Sequence, residues 1–174
     1  MTSDLYITPL TVAHLDELAS VLLHPQVYAC IEDSLPTHDE FILGYTRALR
    51  GPKPTSGQQW FNYLMRDKKS GAMIGRLEAT VHDDIAEVAF LLSPTEWGKG
   101  YASAGLKWPQ NAISCEYTID NFWATTVPEN TRCQQLLRDN GSALADANIP
   151  MLLSYAAGDL VFQRVGASVT RGEK

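Results

Sequence analysis

The hydrophobic pattern of the chain changes period between its first and second thirds. After Thr11, a plausible helix N-cap, apolar residues recur at helical spacing, at Val12, Leu15, Leu18, Ala19 and Leu22. Further along, in "AMIGRLEATV", the period is two. One face then carries Met73, Gly75, Leu77, Ala79 and Val81, and the other Ile74, Arg76, Glu78 and Thr80. The pattern predicts early helices followed by antiparallel strands.

The remaining segments extend this order of elements. A strand "LYITPL" opens the chain, Pro25 ends the first helix, a second helix spans Thr37 to Leu49, and Arg50 to Gln58 is a Pro- and Gly-rich loop. Strands "QWFNYLMRD" and "AMIGRLEATV" flank the turn "KKSG", and "HDD" leads into a third strand, "IAEVAFLL". The residues after "IAEVAFLL" predict a helix from Tyr101 to Glu116 and a strand "FWATTV". They also predict a helix "ENTRCQQLLRDNG" that ends on Gly141, and a closing hairpin of "IPMLLSYA" and "DLVFQRV".

This order predicts a single mixed α/β domain over residues 1–174, with an antiparallel hairpin region at its centre. Hydrophobic residues make up 45% and charged residues 20%, a mix typical of a globular protein. The net charge of -6 opposes binding to nucleic acid and suits a cationic partner. No apolar run is long enough to span a bilayer, and the first ten residues lack the basic start of a signal peptide. We expect a cytoplasmic monomer or homodimer.

Metal binding is not expected from the pattern of cysteines and histidines. The three cysteines, Cys30, Cys115 and Cys133, have no CxxC spacing, and the four histidines form no HExxH-like pair. Among the histidines, His82 lies in a predicted hairpin turn beside Asp83 and Asp84. We expect it to be solvated, with catalysis as the less favoured alternative.

The segment "FLLSPTEWGKGYASAGL" carries the strongest chemical signal. An apolar strand passes through Gly98-Lys99-Gly100 into a helix, whose first turn presents unpaired N–H groups and a favourable dipole to a phosphate or diphosphate. Glycine permits a close approach of the backbone and a positive φ, and Lys99 adds charge. The loop matches neither GxxxxGK[ST] nor GxGxxG. Considered alone, it fits a tight turn without a ligand equally well.

Together with "NFWATTVPENTRCQQLLRDNG", this segment resembles the GCN5-related N-acetyltransferase (GNAT) superfamily. Within it, the chain looks most like the branch of ribosomal-protein alanine acetyltransferases and their small-molecule-modifying relatives. The family signature Q/R-x-x-G-x-G/A corresponds to "WGKGYA", Trp97 to Ala102, and the N-x-x-S element corresponds to Asn130 to Cys133. "RDKKSGAMIGRLEAT" also resembles the family's second and third strands.

The resemblance implies a twisted mixed sheet of about six to seven strands, splayed between the fourth and fifth, with about four flanking helices. Acetyl-CoA would lie in that cleft as the co-substrate. The amides of the run Gly98, Lys99, Gly100, Tyr101 and Ala102, which follows Trp97, would hold the diphosphate. The main chain of Phe90, Leu91 and Leu92 would pair with the pantetheine arm, and Asn130 would contact that arm or the splayed strand.

Acetyl transfer to an amine needs a proton acceptor, and Glu87 in "IAEVAFLL" is the candidate base. We expect partial burial to raise its pKa, with Glu78 on the same strand face as a second carboxylate if the hairpin turn is even-numbered. The alternative is a Glu87 that is merely polar on a solvated face. Cys133, in place of the branch's serine, is the candidate donor to the CoA sulfur, although a buried thiol often only packs.

Three features depart from the family pattern. Pro109 predicts a kink or an early end of the helix near Trp108. Leu137 stands where many members carry a tyrosine, and the segment after Gly141 is unfamiliar. Four acidic residues near the early helices either attract a cationic amine or mark a helix start: Glu32, Asp33, Asp39 and Glu40.

These observations support two hypotheses about function, which belong to different classes of protein. The first is an acetyl-CoA-dependent N-acetyltransferase acting on a primary amine, either a small molecule or a protein N-terminus, by direct attack in a ternary complex. The second is a non-catalytic acyl-CoA-binding or sensor module on the same fold. A phosphate binder unrelated to acetyltransferases is the least favoured alternative.

Overall fold

The computed structural model describes residues 4–31 and 34–166, and a seven-stranded sheet forms its centre. The strand order across the sheet is β1-β2-β3-β4-β5-β7-β6. All neighbouring strands are antiparallel except β4 and β5, which are parallel. The strands are β1 (Leu5–Pro9), β2 (Gln59–Asp67), β3 (Met73–His82), β4 (Ile85–Leu92), β5 (Asn121–Thr126), β6 (Ala143–Leu144) and β7 (Leu160–Val165).

Five α-helices accompany the sheet within the described residues, so the mixed α/β fold is confirmed with one more helix than expected. They are α1 (Leu15–Leu22), α2 (Pro25–Tyr28), α3 (His38–Leu49), α4 (Tyr101–Tyr117) and α5 (Thr131–Asp139). The short α2 was missed by the sequence pattern. Pro25, which we read only as the end of the first helix, is the first residue of α2, where its missing N–H costs nothing.

Local signals in the sequence set the helix ends well. The Thr37 hydroxyl accepts from the Glu40 N–H at 3.2 Å, and the Glu40 carboxylate accepts from the Thr37 N–H at 2.8 Å, a capping box that starts α3. Gly141 follows α5 with φ +84, the left-handed conformation of a helix C-terminus. One predicted position of the first helix is wrong, because Val12 lies in a 3-10 turn before α1, where it is 58% exposed.

Apolar residues cover both faces of the sheet. On one face, β2 and β3 pack against α1 and α3 through residues such as Leu64, Leu18 and Phe41. On the other face, Ala86 and Val88 of β4 pack against α4 and α5, whose buried contributions are Leu106, Ile113 and Leu137. No described helix combines the length and apolar character that a membrane crossing requires.

Pro109 does not end α4 early, contrary to one of the two expectations. The helix continues to Tyr117, and Pro109 is itself among the fully buried side chains. Burial of Leu106 before it and Ile113 after it keeps both halves of the helix on the sheet. Packing of this kind outweighs the hydrogen bond that the proline ring removes.

The predicted closing hairpin is wrong in its first strand. "IPMLLSYA", residues 149–156, is irregular, with one turn at residues 153–154 and no strand, and β7 pairs instead with the two-residue β6 and with β5. A side chain of the sheet anchors the backbone of this segment. The N–H groups of Leu153 and Ser154 donate to the carboxylate of Glu87 in β4. We call residues 145–159, between β6 and β7, the strap.

Candidate active site

A cleft opens between β4 and β5 because the two parallel strands pair over a short distance only. Their register pairs join Ala86 to Phe122 and Glu87 to Trp123, and none follows beyond Glu87. The rest of β4, from Val88 to Leu92, therefore has β3 on one side and a free edge on the other. An extended ligand can pair with such an edge as an added strand.

The alternation of β4 indicates which main-chain groups face the cleft. Ser93 N–H donates to Ile74 O at 2.8 Å, in register with the β3–β4 pairs before it. Because antiparallel strands alternate the direction of their N–H and C=O groups, those of Leu91 point to β3, and those of Phe90 and Val88 point to the cleft. By the same alternation the main-chain groups of Leu92 also point to the cleft, but its carbonyl oxygen already accepts from Trp97 Nε1. Phe90 is thus the member of the predicted trio 90–92 whose N–H and C=O are both placed to pair with a ligand.

The glycine loop lies at the end of this open edge. Gly98 and Gly100 have φ values of +76 and +85, which side-chain-bearing residues rarely adopt. Gly100 is the N-cap of α4, and no described residue accepts from the amides of Gly98 to Ala102. The loop therefore presents several unpaired donors at the positive end of a 17-residue helix.

The side chains of the loop hold its shape. Trp97 Nε1 donates to Leu92 O at 3.1 Å, and the Tyr101 hydroxyl donates to the Asp67 carboxylate at 2.8 Å. These two bonds tie the ends of the loop to the last residue of β4 and to the last residue of β2. Lys99 pairs with Glu96, with 3.1 Å between Nζ and Oε2.

On the opposite wall, Asn130 and Cys133 lie at the start of α5. Asn130 Oδ1 accepts from the Cys133 N–H at 3.1 Å and so caps the helix. The Asn130 amide NH₂ has no partner among the described residues and stays available to a ligand. Burial raises the pKa of the Cys133 thiol, against the opposing effect of a hydrogen bond from Thr126, so the thiol is protonated at neutral pH.

Glu87 is buried at the inner end of the cleft, 5% exposed, with four hydrogen-bond donors around its carboxylate. Oε1 accepts from the Ser154 N–H at 2.9 Å and from the Ser154 hydroxyl at 2.5 Å. Oε2 accepts from the Leu153 N–H at 2.8 Å and from His82 Nε2 at 2.5 Å. The carboxylate therefore joins β4, the end of β3 and the strap.

The expected rise of the Glu87 pKa is wrong, because these contacts lower it. Burial alone raises the pKa, but the hydrogen bonds from Ser154, Leu153 and His82 stabilise the ionised form and lower it below its usual 4.5. The expected solvation of His82 is also wrong, since its side chain is 5% exposed. Burial lowers the His82 pKa, but the bonds to Asp83 and Glu87 and their charges outweigh this and raise it above 6.5.

Glu78 lies on the same strand face as Glu87, as predicted from an even-numbered turn. The turn is Asp83-Asp84, both with positive φ, and the register pairs Thr80 with Glu87 and Glu78 with Ala89. Ala89 belongs to the open part of β4, so Glu78 lies beside the cleft. Its side chain is 39% exposed and pairs with the Arg76 guanidinium.

Arg76 is positioned by aromatic residues of the early helices. Its Cζ lies 5.2 Å from the centre of the Tyr45 ring, and its Nε has no hydrogen-bond partner within the described residues. Burial raises the pKa of Tyr45 to about 12, so this phenol stays neutral. The Arg76–Glu78 pair therefore brings a defined charge pair to the cleft from β3.

Two of the four early acidic residues follow the helix-start alternative. Asp39 and Glu40 lie in the first turn of α3, and Glu40 completes its capping box, as the helix-start alternative predicts. Glu32 and Asp33 lie outside the described residues. The predicted set is thus brought together around one cleft, with the exception of these acids.

Sequence reasoning missed four contributors: His82 as a buried partner, the backbone of Leu153, Ser154 with its hydroxyl, and Arg132. Arg132, the second residue of α5, places its guanidinium 4.2 Å from the centre of the Trp97 ring, across the mouth of the cleft. The spacing of His82 and Glu87 across a two-residue turn is a usable signal, because it places both side chains on one face. No signal of this kind marks the strap.

A seven-stranded mixed sheet, opened between two parallel strands beside unpaired helix-start amides, defines the class: a mixed α/β domain with an open cleft between β4 and β5. The sequence matches the profile of the "Acetyltransferase (GNAT) domain" family over residues 4–143. The chain belongs to this acetyltransferase family.

Solved structures share the fold at low sequence identity. RimL, a ribosomal alpha-N-protein acetyltransferase in complex with coenzyme A, has a TM-score of 0.70 at 14% identity, covering 94% of this chain and 95% of that one. A spermidine N-acetyltransferase from Vibrio cholerae, in complex with CoA and spermine, has a TM-score of 0.68 at 14% identity, covering 92% and 94%.

A phosphinothricin acetyltransferase from Sinorhizobium meliloti, in complex with AcCoA, has a TM-score of 0.69 at 18% identity, covering 95% of this chain and 90% of that one. No curated protein sequence gives a significant match. At these identities the structural similarity supports the fold, and it does not select a branch of the family.

Proposed function

We propose that this protein is an acetyl-CoA-dependent N-acetyltransferase that transfers an acetyl group to a primary amine. One observation carries the proposal: the open edge of β4 leads directly to the unpaired amides of Gly98 to Ala102. An edge suits an extended arm, and the amides suit a diphosphate. Coenzyme A contains both groups in one molecule, and acetyl-CoA supplies the activated thioester.

The chain's own residues have distinct roles in this proposal. Phe90 main-chain groups pair with the arm, Asn130 contributes its free NH₂, and the glycine loop binds the diphosphate. Cys133, held protonated by burial, donates a proton to the sulfur that leaves. The reaction also needs a group that accepts a proton from the substrate ammonium, because only the neutral amine can attack the thioester.

Two carboxylates compete for that proton. Glu87 has its four acceptor positions filled, so a proton reaches it only if one hydrogen bond breaks. Glu78 is more exposed and lies beside the open part of β4. We propose Glu78 as the proton acceptor, acting directly or through water, and Glu87 as the residue that fixes the strap beside the acceptor.

The binding claim is tested by calorimetry with acetyl-CoA on the folded protein. We expect saturable binding to the native chain and loss of binding in Gly100→Val, because φ +85 strains any β-branched residue and displaces the amides. Circular dichroism on the variant controls for folding. A folded native protein that gives no heat with acetyl-CoA refutes the cofactor.

The catalytic claim is tested by release of free CoA over a panel of amines. Because the structural relatives include a spermidine N-acetyltransferase bound to spermine, a phosphinothricin acetyltransferase and an alpha-N-protein acetyltransferase, the panel includes a polyamine, phosphinothricin and a peptide with a free N-terminus. For any accepted amine, Glu78→Gln should lower kcat/KM. An unchanged kcat/KM removes Glu78 from the mechanism.

A second candidate function, an acyl-CoA sensor without turnover, has one observation in its favour. The carboxylate that the sequence marks as the base, Glu87, is fully engaged in hydrogen bonds to the strap. Tight binding of acetyl-CoA, with no free CoA released over the whole amine panel, would favour the sensor over the enzyme.

A further inference from the structure

We propose that Arg132 binds a phosphate group of coenzyme A, namely the diphosphate, and so links the two walls of the cleft across the ligand. This inference rests on the proposed use of acetyl-CoA. Arg132 follows β5 and lies at the start of α5, whereas Trp97 follows β4. The contact between their side chains, 4.2 Å from Cζ to ring centre, therefore spans the cleft mouth.

Trp97 gives the guanidinium a fixed platform. The indole Nε1 donates to Leu92 O at 3.1 Å, and the ring packs beside the core cluster that includes Leu77 and Leu92. Gly98, the first residue with an unpaired amide, follows Trp97 directly in the chain. A guanidinium held on this ring consequently lies next to the amides that are proposed to bind the diphosphate.

The balance of charge at the mouth indicates a role for Arg132. Lys99 is the cation within the loop, but it is paired with Glu96, so the two contribute no net charge. The whole chain carries a net charge of -6. Within residues 4–31 and 34–166, Arg132 makes no ion pair. It is thus a cation at the mouth that has no carboxylate partner.

The geometry of stacking leaves the donors of Arg132 free. A guanidinium that lies over an aromatic ring contacts the ring with its own flat face. Its N–H groups lie in the guanidinium plane and point outward, away from this contact. Phosphate oxygens match these N–H groups in pairs. The Trp97 contact and a phosphate contact are therefore compatible, and a lysine at this position provides charge without the planar donor set.

The test measures the affinity of Arg132→Gln for three probes by calorimetry: CoA, dephospho-CoA, which lacks the 3′-phosphate, and pantetheine, which lacks all phosphates. We expect CoA and dephospho-CoA each to bind roughly 10- to 100-fold more weakly than to the native chain, the usual effect of losing a charge-assisted hydrogen bond. Pantetheine affinity should be unchanged. Arg132→Lys should recover part of the loss, and the salt dependence of CoA binding should be shallower in Arg132→Gln.

Lys107→Gln is the matched control, because it removes one positive charge from the exposed side of α4. It should change CoA affinity less than about threefold, the effect of a distant, screened charge. Equal CoA affinity in native protein and Arg132→Gln overturns the inference. A loss that disappears with dephospho-CoA overturns the diphosphate assignment, and an equal loss for pantetheine shows a structural role instead. If the native chain binds none of the probes, the proposed function fails as well.

Discussion

His82 Nε2 lies 2.5 Å from Glu87 Oε2, so the end of β3 and the middle of β4 are joined by a buried ion pair. The other imidazole nitrogen, Nδ1, lies 2.9 Å from the carboxylate of Asp83. Since a carboxylate faces each nitrogen, both nitrogens donate and the ring is protonated. Glu87 in turn accepts hydrogen bonds from the strap, so this pair joins the strap to the sheet.

Glu87→Gln should destabilise the protein. The amide keeps the volume of the side chain but places an NH₂ group against donors of the strap or His82. We expect a loss of about 2–4 kcal/mol in the free energy of unfolding, as is typical when a buried charged partner is removed. Urea denaturation followed by circular dichroism measures the loss.

Glu116→Gln provides the control for that experiment, because Glu116 lies on the exposed side of α4. Its free energy of unfolding should remain within about 0.5 kcal/mol of the native value. Equal stability of the two variants would show that the four hydrogen bonds to Glu87 contribute nothing net.

His82 should make stability depend on pH. Its pKa is raised above 6.5, so the stabilisation is complete below pH 6.5 and is lost as pH rises through the folded pKa. The pKa of Glu87 is lowered below 4.5, so its contribution is present above pH 4.5 and is lost on acidification through the folded value. The hydrogen-bond network of His82 and Glu87 therefore stabilises the folded state most between pH 4.5 and pH 6.5.

His82→Gln tests this dependence, because glutamine donates from a single nitrogen and cannot take a charge. Unfolding at several pH values should show the native advantage over His82→Gln at its largest near pH 6 and smaller at pH 9. His38→Gln, a change at an exposed histidine, serves as the control. An advantage that grows toward pH 9 contradicts the assignment of a raised pKa.

Gly75→Ala should destabilise the sheet strongly. A Cβ at Gly75 would lie 2.0 Å from Leu91 O, a backbone atom of the neighbouring strand that cannot move without separating β3 from β4. We expect a loss above about 3 kcal/mol. In Gly44→Ala, on the exposed side of α3, the new methyl meets nothing within 4 Å, and a gain of about 0.5–1 kcal/mol is expected. Thermal unfolding of both variants measures the expected loss of stability in Gly75→Ala and the expected gain in Gly44→Ala.

Cys133 should react slowly with iodoacetamide. Burial raises its pKa, and the reactive thiolate is therefore scarce at pH 7.5, whereas Cys115 is exposed on α4. Mass spectrometry of timed samples should show Cys115 modified first by at least about tenfold in rate. Faster modification of Cys133 than of Cys115 would contradict both its burial and its proposed role as a protonated donor.

The sequence determined the local parts of this protein. The start of α3 at Thr37, the glycine after α5, and the alternation along β3 from Gly75 to Val81 each depend on residues close together in the chain, and each is confirmed. The first two residues of β3 break the predicted alternation, because a bulge opposite β2 places Met73 in the cluster of Leu64 and Ile74 in the cluster of Leu77. The same holds for the glycine loop before α4, whose positive φ values were expected from "GKG". Short-range sterics and hydrogen bonding suffice for these elements.

Only the tertiary structure decided what the side chains around the cleft do. Glu87 interrupts an apolar strand, but the sign of its pKa shift depends on donors 66 and 67 residues further along the chain. The Arg132–Trp97 contact likewise joins segments that no periodicity connects. The strap is irregular because its backbone bonds to a side chain, and such a partner leaves no repeating pattern in the sequence.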